Sequence, residues 1–316
     1  MAEYLVTGGA GFIGSNIVEE LLRKKHAVIV LDNLSTGSLD NIKPFLKRIK
    51  FIRGDLRNMR DVRIATKGVQ YVLHQAALRS VERSVNDPKA TNDSNITGTL
   101  NLLIAASEHK VKRLVYASSS SVYGDSKKLP QREDHLPAPV SPYAVSKLTG
   151  EYYCRVFAKT FGLETVSLRY FNVFGPRQNP RSKYAAVIPI FMECALQGKP
   201  LPIHGDGRQS RDFTYIANVV HANILASQTS GISGEVFNVA LGNSNNLLDI
   251  VSLLEEILNK KLPRNHLPPR LGDVRRTCAY NRKIVSKLGF KPKVLFKEGI
   301  LKTWKWLSNE WCGYIR

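Results

Sequence analysis

The sequence predicts an α/β fold: a doubly wound parallel sheet with helices on both faces, and a smaller α/β lobe beside it. Three observations carry that reading. A glycine-rich stretch, Thr7-Gly8-Gly9-Ala10-Gly11-Phe12-Ile13-Gly14, lies between an apolar run and an apolar-periodic segment. Short apolar runs then alternate with helical stretches as far as Tyr170, the pattern of buried parallel strands. Near Phe174-Gly175-Pro176 the character changes: prolines and glycines become frequent and the strands shorten. We expect 1–174 to form the first unit and 175–316 mainly the second, with about 212–241 returning to the first.

Tyr4-Leu5-Val6 makes the first strand, and Ile17, Val18, Leu21 and Leu22 give the first helix its apolar face. Strand, glycine turn and helix in that order are the context in which such glycines mean dinucleotide binding. Gly8 permits the tight turn, Gly11 lets backbone amides approach a pyrophosphate, and Gly14 lets the helix sit close on the strand. The helix start adds unpaired N–H groups and a positive dipole end. The second strand, 26–31, ends in Asp32, where a carboxylate can accept both ribose hydroxyls of adenosine. That charge repels a 2′-phosphate, so the cofactor read here is NAD rather than NADP.

Further strands follow at 49–53, leading to Gly54-Asp55-Leu56, and at 68–74, ending at Gln75-Ala76-Ala77-Leu78. A long helical stretch is expected from about Ala90 to Glu108, a fifth strand at 113–117, a helix from about Pro142 to Phe161 and a sixth strand at 165–170. In the second lobe, helices are expected at Leu247–Leu258 and Lys283–Leu288.

Composition excludes several classes. No apolar run reaches the roughly 18 residues that span a bilayer. The N-terminus shows no signal-peptide pattern, so we expect a cytoplasmic protein with no stable membrane association. Cys154, Cys194, Cys278 and Cys312 are scattered without metal-ligand spacing and read as reduced thiols; no metal is expected. The formal net charge is +20, and thirteen basic residues between Lys260 and Lys302 face only Asp273 and Glu298. Such an excess attracts anions, yet no aromatic-interleaved basic tract or zinc spacing supports nucleic-acid binding.

The chemistry is expected at the end of the fifth strand, in Ser118-Ser119-Ser120-Ser121-Val122-Tyr123-Gly124, because ligands bind beyond the carboxyl ends of strands in open α/β sheets. Ser141 is a plausible helix cap and Pro142 suits the first helical position. Tyr143 and Lys147 then lie one turn apart on one face. A phenol near pKa ~10 is a poor base at neutral pH, but a lysine, a helix dipole and a nicotinamide cation each favour the phenolate. Tyr143 could then take a proton from a substrate hydroxyl while the carbon gives hydride to NAD.

The glycine start, the serine-rich strand end and Ser141-Pro142-Tyr143-Ala144-Val145-Ser146-Lys147 resemble the extended short-chain dehydrogenase/reductases, whose first unit is a Rossmann-type NAD domain. The resemblance continues through 168–176, Gly205-Asp206-Gly207, 210–213 and 270–275, and within the family it is greatest to UDP-hexose 4-epimerases, above all UDP-N-acetylglucosamine 4-epimerases. It implies Tyr143 as base, Lys147 as its electrostatic partner and Ser119 as a bridging hydroxyl. It also implies cofactor contacts from Gly8, Gly11, Phe12, Ile13, Gly14, Asp32, Asn33, Ser35, Thr36, Gly37, Asp55, Leu56, Gln75, Ala76, Ala77, Asn95, Ser118, Tyr143, Lys147, Tyr170 and Val173. Substrate contacts are implied at Ser80, Ser119, Ser120, Ser121, Tyr143, Asn172, Ala186, Val187, Ile203, Arg211, Arg270, Asp273 and Thr277. The two arginines make independent sense, since guanidinium forks suit a diphosphate. A homodimer formed by two helices per subunit is implied as well.

Among nucleotide-sugar reactions, dehydratases resembling this chain carry Asp-Glu where it has Ser120-Ser121, and decarboxylating relatives carry Glu at Ser121. Hydroxyls alone suit redox at C4, hence a 4-epimerase. Thr277, a small side chain where related epimerases tune pocket size, leaves room for a 2-acetamido group, so UDP-GlcNAc/UDP-GalNAc is expected, with UDP-Glc/UDP-Gal also turned over. Arg79 is larger and more basic than expected and could pair with a C6 carboxylate, which keeps UDP-glucuronate as an alternative. Tyr280 stands where the family pattern usually has Asp, so Asn281 is expected to cap the next helix. The remote alternative is a non-catalytic Rossmann-type protein that binds RNA or a partner.

Overall fold

The structure, a computed structural model, describes residues 1–126, 128–182, 185–269 and 275–314. The first half runs β1 (Glu3–Thr7), α1 (Phe12–Arg23), β2 (Ala27–Asp32), β3 (Lys50–Arg53), α2 (Met59–Thr66), β4 (Tyr71–His74), α3 (Val81–Asn86), α4 (Pro88–Asn92), α5 (Gly98–Glu108), β5 (Arg113–Ser119), α6 (Pro142–Thr160) and β6 (Glu164–Tyr170). The second continues with β7 (Val173–Phe174), α7 (Val187–Gln197), β8 (Leu201–His204), β9 (Ser210–Arg211), β10 (Thr214–Tyr215), α8 (Ile216–Gln228), β11 (Glu235–Val239), β12 (Asn245–Asn246), α9 (Leu247–Leu258), β13 (Arg264–Leu267), α10 (Arg282–Leu288) and α11 (Phe296–Tyr314).

A seven-stranded sheet in the order β11-β6-β5-β4-β1-β2-β3 organises the molecule, and its pairings are parallel. Strand periodicity shows why both faces are covered. Tyr4 and Val6 of β1 join a core with Ile17 of α1 and Val219 of α8, while Leu5 between them faces Val62 of α2, Leu102 of α5 and Phe157 of α6. Chain order reverses between β1 and β4, so a crevice opens beyond the carboxyl ends of those two strands. β11 and α8 come from late in the chain: β11 pairs with β6 at the sheet edge, and α8 packs on the β1 side.

Two local expectations need correction. The stretch 90–108 is not one regular helix: α4 and α5 are joined by a π-helical turn, Asp93–Thr97, which turns Asn95 inward. Asn281 does stand at the start of α10, but its side chain does not cap it; its Nδ2 donates to the carbonyls of Ala240 and Leu241, at 3.4 and 3.0 Å. No helix among the described residues is long and apolar enough to cross a membrane.

Candidate active site

A cavity of about 730 Å³ lies over the crevice. Gly8 floors it in the left-handed region at φ +67°, and its missing Cβ leaves room for the Ala76 nitrogen, which would stand 2.7 Å from such an atom. A Cβ on Gly14 would overlap the Gly8 carbonyl oxygen, so only glycine lets α1 start this close to the turn. Gly11 precedes α1 with extended backbone and no side-chain cap, which leaves the first N–H groups of the helix open to the cavity. Fifteen of the residues expected to touch cofactor line it: Gly8, Gly11, Phe12, Ile13, Gly14, Asp32, Asn33, Ser35, Thr36, Gly37, Asp55, Leu56, Gln75, Ala76 and Ala77.

These residues fit a dinucleotide. Asp32 Oδ2 accepts the Ala10 N–H at 2.9 Å and Oδ1 the Leu34 N–H at 2.8 Å, which fixes the carboxylate at the cavity edge with a lone pair free on each oxygen. Burial raises its pKa, and the two backbone bonds oppose that rise. The guanidinium of Arg57 holds the Asp55 carboxyl far below its usual range, and Asn33 Nδ2 donates to it at 2.9 Å. Tyr170 lies under the cavity instead of lining it: its hydroxyl accepts from Asn223 Nδ2 at 2.8 Å and donates to Gln75 Oε1 at 3.1 Å, which steadies Gln75.

Arg177, absent from the sequence expectation, also lines the cavity. Its Nη2 pairs with Glu19, and its Nη1 is buried without a hydrogen-bond partner among the described residues. Arg177 lines the same cavity as the open start of α1, and a guanidinium there suits a pyrophosphate. The signal lay in Arg177 directly following Gly175-Pro176, a turn that presents it to the crevice.

At the end of β5 the expected reacting groups come together. Ser141 accepts the Ala144 N–H at 3.2 Å and Pro142 fills the first turn, so α6 begins where the sequence indicates. The Ser119 hydroxyl lies close enough to the half-buried Tyr143 phenol to draw its pKa down. Ser121 donates to Ser119 Oγ at 2.9 Å, and Ser120 sits in the same turn. Lys147 is buried, donates to the Ala117 carbonyl at 2.8 Å, and lies 5.9 Å from the centre of the Tyr143 ring. Burial lowers its pKa to about 8. The phenol is pushed above its ordinary value by burial, opposed by Ser119 and by the Arg79 guanidinium. Arg79 thus bears on the phenol, and Lys147 stands by as a second cation near the ring while it anchors the strand end.

Three expected cofactor contacts stand away from the first cavity, two of them with protein partners of their own. Ser118 donates its hydroxyl to Glu151. Asn95 is buried and clamps Leu78, accepting its N–H at 2.8 Å and donating to its carbonyl at 3.0 Å, with a further bond to Ser146. Val173 lines a second cavity, not the first.

That second cavity, about 240 Å³, is lined by Asn172, Val173, Ala186, Val187 and Arg211, together with His204, Gln209 and Phe213. Ala186 precedes α7 with no side-chain cap, so the N-terminus of a second helix opens on it. Asn172 Nδ2 donates to the Asp212 carbonyl at 3.2 Å and reaches Thr277 Oγ1 at 3.4 Å, which places Thr277 beside this cavity. Ile203 is turned away into the core, because strand alternation gives the cavity its neighbours Pro202 and His204. Ser80, at φ +105°, starts α3 and accepts the Arg83 N–H. Arg270 and Asp273 lie outside the described residues.

A profile of the NAD dependent epimerase/dehydratase family matches residues 4–240. A UDP-glucose 4-epimerase of Mycolicibacterium smegmatis is 36% identical over 314 residues, covering 97% of this chain and 98% of that one. Among solved structures, a UDP-N-acetylglucosamine 4-epimerase from Methanobrevibacter ruminantium, in complex with UDP-N-acetylmuramic acid, superposes with a TM-score of 0.93 at 39% identity. It covers 98% of this chain and 99% of that one. A UDP-glucose 4-epimerase from Thermotoga maritima, with UDP-glucose, gives 0.93 at 37% identity over the same shares.

Proposed function

This chain belongs to the NAD dependent epimerase/dehydratase family, and on that premise we propose that it interconverts UDP-GlcNAc and UDP-GalNAc and also turns over UDP-Glc and UDP-Gal. It is a UDP-sugar 4-epimerase, an NAD-dependent isomerase. The observation that carries the finer reading is the Tyr143–Ser119 contact flanked by hydroxyls at Ser120 and Ser121, with the small Thr277 beside Asn172.

Tyr143 is the base in this reading. It takes the proton of the C4 hydroxyl, relayed through or steadied by Ser119, and later returns a proton to the same oxygen. Lys147, fixed on the Ala117 carbonyl, and Arg79 favour the phenolate. The first cavity, with Asp32 and the open start of α1, would hold NAD, which would supply a hydride acceptor and donor for C4. The open start of α7 and Arg211 hold the diphosphate, about which the planar 4-keto sugar turns to present its other face. Carboxylate acid–base groups for loss of the C6 hydroxyl are not supplied by positions 120 and 121.

A second reading rests on Arg79, whose cation at the mouth of the site would pair with the C6 carboxylate of UDP-glucuronate. Incubating the purified protein with UDP-GlcNAc, UDP-Glc and UDP-glucuronate, and resolving products by chromatography, separates the two. Turnover of UDP-glucuronate alone overturns the first reading. We further propose a homodimer through α6, where Val145, Tyr152 and Val156 form an exposed apolar stripe at 46–52% exposure. Sedimentation at micromolar concentration tests it; a monomer refutes it.

A further inference from the structure

Three successive turns of α6 place Tyr143, Lys147 and Glu151 on one face, each four residues from the last. Each engages a different residue of the β5 end: Tyr143 meets Ser119, Lys147 takes the Ala117 carbonyl, and Glu151 accepts the Ser118 hydroxyl. Glu151 also grips β6. Arg169 donates Nε to Glu151 Oε1 at 2.9 Å and Nη2 to Oε2 at 2.7 Å, a bidentate pair with both side chains 3–4% exposed. Arg169 in turn lies 4.7 Å from the centre of the Tyr123 ring, and β6 leads directly to Asn172.

We propose that Glu151 and Arg169 are positioning residues for the epimerase reaction, locking the helix of Tyr143 and Lys147 in register with the strand of Ser119. Stability alone does not account for the pair, since apolar replacements of buried ion pairs are often neutral or stabilising. A buried carboxylate shared by two strands fixes the helix along its axis and against rotation, which apolar packing does less sharply. The pair also sets the field at Lys147. The groups facing that ammonium are Tyr143, Glu151 and Cys154 on α6, Tyr116 on β5 and His74 on β4, with Arg169 of β6 beyond Glu151 as its partner. Cys154 and Glu151 favour the protonated lysine against the desolvation that disfavours it. Removing the carboxylate takes away one of the groups that favour the ammonium, so the lysine loses its proton at lower pH.

The inference rests on the epimerase assignment for its assay, so the wild-type chain with its best UDP-hexose is the reference. Glu151→Gln should lower kcat about 100-fold, with KM and bound NAD nearly unchanged. The alkaline limb of its kcat–pH profile should move down by about one pH unit. Glu151→Leu combined with Arg169→Met, which leaves no lone charge, should keep the wild-type thermal midpoint yet stay slow. Ser118→Ala, which breaks only the β5 tether, should show the same kcat loss in milder form. Wild-type kcat and pH profile in Glu151→Gln, or in a folded double variant, overturns the proposal; if neither folds, wild-type kcat in Ser118→Ala does. Carbon-13 titration of the lysine ε-carbons follows Lys147 without substrate. An unmoved midpoint in Glu151→Gln overturns the electrostatic part even where no UDP-hexose is turned over, an outcome that would condemn the substrate assignment instead.

Discussion

Lys147 titrates in a window where stability and activity should run in opposite directions. Its ammonium is buried, and desolvation brings its pKa from 10.5 to about 8. Below pH 8 the lysine carries its proton in both folded and unfolded chains and adds no pH dependence. Between about 8 and 10.5 the unfolded chain holds a proton that the folded chain has released, so stability rises with pH. The fall from 10.5 to about 8 corresponds to about 3 kcal/mol across that window. Cys154 and Tyr123, both raised to about 12 by burial, titrate against this trend, so the wild-type curve alone cannot isolate the lysine. Lys147→Met, with a similar stem and no charge, is the right subtraction. Urea unfolding of both proteins from pH 7 to 10.5 should show wild type gaining about 3 kcal/mol on the variant as pH rises. Over the same range wild-type kcat should fall, because the ammonium that favours the phenolate is lost. A stability difference that stays flat, or that shrinks with pH, refutes the reasoning.

Tyr143→Phe should cost roughly 10²–10⁴ in kcat while the protein keeps its bound NAD, measured by absorbance after denaturation; near-wild-type turnover would unseat the base. Gly14→Ala should lower both stability, by about 1–3 kcal/mol, and NAD content, because its Cβ has nowhere to go beside the Gly8 carbonyl. Calorimetry and cofactor release read the two losses separately. Arg211→Ala should raise KM for the UDP-sugar about 10- to 100-fold with NAD content unchanged, as expected for one charge-assisted contact to a diphosphate.

Much of this was legible because local chemistry and global placement coincide. Gly8, Gly14 and Asp32 sit where strand, turn and helix put them, and the capped start of α6 aims Tyr143 at the end of β5. Elsewhere the deciding contact was long-range. The inward Asn95 depends on Leu78 and Ser146, which no periodicity of its own segment reveals. Asn281 looked like a helix cap until carbonyls from the end of β11 competed for it. Ile203 and His204 could be sorted only once β8 had a buried side. Arg177 and Glu151 were hidden for the same reason: their partners, Glu19 and Arg169, lie on other elements, a distant helix and the neighbouring strand β6.

The late arrival of β11 beside β6 has a practical consequence for anyone trimming this gene. A fragment ending near residue 174 would retain the glycine turn but leave β6 as a raw border, with the backbone groups that now bond Val236 to Val239 unsatisfied. It would also strip α8 from Val6 and Ile17, baring the greasiest side of the sheet. Such a truncation should precipitate instead of behaving as a portable nucleotide-binding module.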